Sequence, residues 1–161
     1  MDLVTKILIG LVIAVAGMLV YWAVATFNRR RRQEWERLRT VRAREDFRRQ
    51  REHLEARFVR LAGASGKPRG LEWANVDFED GVQYARDRHS GQLRALVGIT
   101  IAFEAIEGGD MEDVEAVSNL RAATAVFHLD NDAWDTLGRA IFNLDPLEAI
   151  RHFNHDMEVV E

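Results

Sequence analysis

Three groups of side chains in this chain have types and spacings that could do chemistry. Asp130, Asp132 and Asp135 follow one another as in the opening of a calcium loop, where successive oxygen ligands wrap a hard cation. Trp134 stands at a position that should supply oxygen, and Asp135 stands where such a loop needs glycine. Asp130-Asn131-Asp132 therefore reads more simply as a hairpin turn. His152 and His155 lie three apart with Asp156 adjacent, a spacing that could hold zinc on a helix face. They fall at the end of the chain, where helices fray, and histidines there also offset the helix dipole. Glu104 and Glu107 could form a carboxylate pair for acid–base work, although glutamates on the solvent face of a strand are the ordinary case.

No glycine-rich phosphate loop, nucleophile elbow or zinc-protease motif accompanies these groups. Cysteine is absent, which removes thiol nucleophiles and disulfides and fits a reducing compartment. No catalytic residue, metal site or cofactor is expected. The 20 Arg against 2 Lys associate the chain with a GC-rich, bacterial coding sequence.

The elements that would position any site begin with an uncharged run from Ile7 to Phe27, followed at once by Arg29-Arg30-Arg31-Arg32. Twenty-one residues at helical rise span roughly 31 Å, the thickness of a bilayer's hydrocarbon core, so the run predicts a single transmembrane helix. A cleaved signal peptide with Ala23-Val24-Ala25 as its cleavage site is the competing reading. Its apolar region would be too long, and cleavage would leave four arginines leading the mature chain. Tyr21, Trp22 and Phe27 suit the headgroup layer, as do Arg29, Arg30, Arg31 and Arg32 against anionic lipid. Gly10, Ala14 and Gly17 share one helix face, on which a second helix could approach. Thirteen Arg between Asn28 and Ala62 place the C-terminal part in the cytoplasm and residues 1–6 outside, across a bacterial inner membrane.

Residues 28–62 lack Gly and Pro and read as a basic helical stalk, ended by a Gly-rich linker at 63–70. Phe47, Leu54, Phe58 and Leu61 form one narrow stripe of two heptads, and Trp35, Leu38 and Val41 a shorter patch. The stripe suggests a dimerising coiled coil, and the arginines suggest contact with lipid.

From residue 71 the period of hydrophobicity changes to 2. Leu93, Ala95, Val97, Ile99, Ile101, Phe103 and Ala105 predict the inward face of a long strand, paired with Val82–Arg88 through a turn at Asp87–Gln92. Leu71, Trp73, Val76 and Phe78 also alternate, with a slip of phase. Glu107–Glu115 reads as an acidic loop closing into a helical turn. Leu120–Leu129 and the stretch opened by Trp134 predict a second hairpin, and Gly138–Leu144 a further strand. Asp145-Pro146-Leu147-Glu148 predicts a capped helix through Phe153 that buries Leu147, Ile150 and Phe153.

The fold class expected is therefore α+β: a transmembrane helix at 7–27, a basic juxtamembrane helix, and at 71–161 a small antiparallel-sheet domain of four to five strands with a short C-terminal helix. Gly70 to Glu161 holds 6 Arg against 19 acidic residues, so this domain should not bind nucleic acid. Its expected partner is a basic protein or a second copy of itself, beside the anionic headgroups met by the anchor. The function expected is that of a membrane-anchored scaffold or adaptor. The alternatives are a tethered enzyme or ligand-binding domain, with a pocket between sheet and C-terminal helix lined by Trp73, Tyr84 and Trp134, and a stalk that folds back to neutralise the domain.

Overall fold

The computed structural model of the chain describes residues 3–65, 71–108 and 119–160, with backbone alone for 3–15, 28–30, 32–33 and 65. In chain order the elements are α1 (Leu3–Ser65), β1 (Leu71–Asp87), β2 (Leu93–Ala105), β3 (Arg121–Asp130), β4 (Ala133–Asp135), β5 (Ala140–Phe142), α2 (Pro146–His152) and β6 (Met157–Val159). The class is α+β, with a six-stranded antiparallel sheet ordered β4-β3-β2-β1-β6 and β5 paired to β3. Two compact units divide the chain at Met1–Arg42 and Ala43–Glu161.

The second unit begins well before residue 71. Ala43, Phe47, Leu54, Phe58 and Ala62 of α1 are all buried, at 5% exposure or less, in one core with the sheet. Their spacing of four, seven, four and four keeps them on one face of a helix. The apolar stripe of the expected stalk is thus occupied within a single chain. Across from it stand Leu93, Ala95, Val97, Ile99, Ile101 and Phe103, the alternate residues of β2 expected to face inward. Phe47 meets Tyr84, Phe127 and Trp134 edge-on or tilted, with ring centroids at 6.2, 5.3 and 5.0 Å. Phe58 sits likewise among Trp73, Phe78 and Phe127. Each such ring pair adds roughly 0.5–1.5 kcal/mol beyond the area it buries. Trp134 donates its indole N–H to the carbonyl of Ala43 at 2.7 Å, which satisfies a buried donor.

This placement bears on three other expectations. Trp73, Tyr84 and Trp134 line no pocket beside the C-terminal helix, because they lie on the opposite face of the sheet, packed against α1. The helix also passes through Gly63 and Ala64 to Ser65 before it ends. Finally, the charge divides less steeply than a boundary at residue 71 implies, since Ala43–Glu161 holds 14 Lys and Arg against 23 Asp and Glu.

The slip of phase between Trp73 and Val76 has a physical cause: β1 shifts register at Trp73/Asn75, which leaves Ala74 outside the ladder. A second shift at Phe78/Val82 makes Glu79, Asp80 and Gly81 bulge out without changing the phase. A bulge frees carbonyls, and Arg51 of α1 takes two of them, donating to Asp80 O at 2.8 Å and to Glu79 O. Its Nε–H donates to Glu55 at 2.6 Å, which fixes the guanidinium.

The other face of the sheet is covered by α2, whose Ala149 and Ile150 pack on Ala85 and Leu96, with Met157. Asp145 caps α2 and forms a capping box with Glu148, as its sequence predicts. The buried residues are Pro146, Ala149 and Ile150, whereas Leu147 is half-buried and Phe153 is the exposed C-cap. Residues expected to fray instead form β6, which pairs Met157, Glu158 and Val159 with Asp87, Arg86 and Ala85. That strand raises the sheet above the four or five expected. The helical turn expected in the acidic loop lies outside the described residues from 109 onward, as does the linker at 66–70.

Candidate functional site

The sites suggested by sequence spacing dissolve once the chain is folded. Asn131 and Asp132 have φ of 47° and 63°, the two left-handed residues of a tight hairpin turn between β3 and β4. Asp135 leaves them to pair with Arg57 at 2.7 Å and to accept the N–H of Thr136 at 2.7 Å. His152 is exposed and meets the ring of Phe153 edge-on, and Asp156 lies 3.1 Å from Nε2 of His89, with His155 exposed in the turn between. Glu104 and Glu107 are exposed. Among the described residues no cluster of His, Asp and Glu could hold a metal.

In the first unit, Met18, Leu19, Val20, Tyr21, Trp22, Val24 and Phe27 are 53–76% exposed. Gly17 has open space where a side chain would lie, while Gly10 and Ala14 are outside the residues with described side chains. Arg31 places its guanidinium 5.8 Å from the ring of Phe27; Arg29, Arg30 and Arg32 are again outside. Among the described residues no helix is long and apolar enough to cross a membrane, and the side chains from Ile7 to Val15 are not among them.

A groove of about 300 Å³ opens on the face of the sheet away from α1. It is lined by Gln92 and Arg94 of the first hairpin, Val126, His128 and Asp130 of β3, and Leu137 and Arg139 of the loop before β5. Strand register makes Arg94 and His128 direct cross-strand neighbours. Arg94 is held from below by Asp87, which is 7% exposed and accepts its guanidinium together with the N–H groups of Ser90 at 2.8 Å and His89 at 2.9 Å. Those bonds, from Ser90 first, hold the Asp87 carboxyl below the usual carboxylate range against the opposing effect of burial.

The loop carrying Arg139 is shaped by two residues. Thr136, 1% exposed, donates its hydroxyl to Val126 O at 2.9 Å and accepts Gly138 N–H at 3.1 Å. Gly138 has φ +68°, and a Cβ there would fall 2.5 Å from the backbone nitrogen of Ala62, so both conformation and close approach require glycine. The chain then returns so that Arg139 O accepts the N–H of Val126 at 3.1 Å. Leu137 is left 68% exposed, and the guanidinium of Arg139 has no hydrogen bond or ion pair among the described residues.

Sequence reasoning misses this groove, because its residues are brought together by register and by a loop rather than by spacing. The signal available is that Arg94 and Arg139 are two of the six Arg in an otherwise acidic stretch. Compared with family models, with curated proteins and with solved structures, the chain finds no match in any of the three.

Proposed function

We propose that this protein is a single-pass membrane protein whose Ile7–Phe27 helix crosses the bilayer and displays an acidic α+β unit in the cytoplasm as a protein-interaction module. The observation that carries the reading is the helix surface from Met18 to Phe27. Consecutive large apolar side chains project there in every direction around the helix and are exposed. A helix apolar all round is stable where lipid covers it. The uncharged run continues back to Ile7, long enough in total to span, and the arginines that follow retain the chain's next segment inside.

The acidic balance of Ala43–Glu161 supports a basic partner. One edge of the sheet supports it too: β6 pairs only with Ala85–Asp87, and among the described residues no strand pairs with that edge of β1 around residues 75–78, which carries Asp77. An extended basic segment has both backbone groups and charge to meet there.

The test of orientation is a pair of reporters fused after Glu161. One that folds only in the cytoplasm should be active, and one that needs export should be silent. Neutral replacements at Arg29 to Arg32 should weaken that bias. An active exported reporter on the native chain would overturn the cytoplasmic placement.

A further inference from the structure

We infer that the groove over β2 and β3 is a binding site for a small organic oxyanion, a carboxylate or phosphate carried on a short apolar stem. It brings a cationic fork and an apolar wall side by side, as such a ligand needs. Arg139 offers a planar fork of donors with no other use among the described residues, and the fork matches a carboxylate or phosphate in two-point geometry. His128 stands on the floor with a ring N–H, and its side chain likewise has no partner among the described residues. Val126 and the exposed Leu137 supply the apolar wall for the stem.

The second arginine contributes differently. The charge of Arg94 is largely answered by buried Asp87, and its other terminal nitrogen lies 3.9 Å from Met157 Sδ, so it is a fixed donor array rather than a free charge. Fixing a donor before the ligand arrives lowers the entropy that binding costs. Asp130 at one end of the groove repels an anion, which directs the oxyanion to the Arg139 end. A volume of about 300 Å³ lies at the lower bound of small-molecule sites and excludes a bulky ligand. The groove is also a local reversal of sign on a unit whose overall charge is negative, so a small anion is selected there by contacts at short range and not by the field of the protein.

Titration of the full-length chain in neutral detergent micelles with benzoate, phenyl phosphate, benzamide and inorganic phosphate tests this by calorimetry and ligand-observed NMR. Benzoate, phenyl phosphate or both should bind, and which of them does identifies the oxyanion. Benzamide, of similar shape without the charge, should bind at least about tenfold more weakly, the loss expected for a charge-assisted pair. Arg139→Gln should weaken the charged ligands about tenfold, Arg139→Lys should recover part of it, and Arg49→Gln, at a side chain 75% exposed and outside the groove, should change nothing. Because Arg139 is exposed, its variants should fold. Binding of benzamide equal to benzoate, indifference to Arg139→Gln, inorganic phosphate binding as tightly as phenyl phosphate, or no binding at all would each overturn the inference.

Discussion

A chain beginning at residue 70 is expected not to fold, whereas one beginning at Arg39, a turn ahead of Ala43, should fold to a cooperative monomer. The difference follows from which element covers the inner face of the sheet. Without α1, Leu93, Ala95, Val97, Ile99, Ile101, Phe103, Phe127 and Trp134 would lose the helix that shields them. Apolar area costs about 25 cal/mol per Å² when returned to water, so baring a whole sheet face removes more than the roughly 5–15 kcal/mol that holds a domain together. The indole N–H of Trp134 would also lose the Ala43 carbonyl. Circular dichroism and thermal unfolding of the two chains distinguish the outcomes. Equal folding of both would mean that the helix is a spacer after all.

Phe47→Ala should destabilise the second unit by about 3–5 kcal/mol, the usual consequence of deleting a fully buried aromatic ring. Phe47 is 0% exposed and touches the three rings of Tyr84, Phe127 and Trp134, none of which can collapse freely into the space because each is held by the sheet. Arg49→Ala, two residues along the same helix with a side chain 75% exposed, should stay within about 0.5 kcal/mol. Urea titration followed by tryptophan fluorescence reads the difference, since Trp134 lies 5.0 Å from Phe47 in ring centroids. A stalk that dimerised through Phe47 would behave otherwise. Its unfolding midpoint would depend on protein concentration, and the mutation would act through that dependence.

How far the fold is legible in the sequence depends on whether a residue's partners are near it in the chain. The inward face of β2 can be read directly because every second residue from Leu93 to Phe103 is apolar, although Leu96 on the other face is buried too, under α2. The hairpin turn after Asp87 and the capping box of α2 are local devices and are equally plain. The stripe Phe47, Leu54 and Phe58 is visible too, but its destination is not. Two heptads in an Arg-rich helix look alike whether a second helix or a sheet covers them. The register shift after Trp73 shows as a slip of phase, whereas the bulge at Glu79 to Gly81 keeps Phe78 and Val82 in phase and leaves no signal, and its compensation by Arg51 comes from a residue 28 positions away. Strand β6 carries almost no propensity signal in three residues; pairing with Ala85–Asp87 makes it a strand. The groove is the least legible part, because Arg94, His128 and Arg139 meet through the register of β2 with β3 and through a loop set by Thr136 and Gly138.

The central claim is that the uncharged helix at Ile7–Phe27 anchors this protein in a bilayer, and extraction of cell membranes with alkaline carbonate tests it most directly. Such treatment strips proteins held by charge or by partners and leaves those whose helices span the hydrocarbon core. The full-length chain should remain in the membrane pellet and be released only by detergent, while the chain beginning at Arg39 should be recovered in the supernatant. Recovery of the full-length chain in the carbonate supernatant would contradict the account.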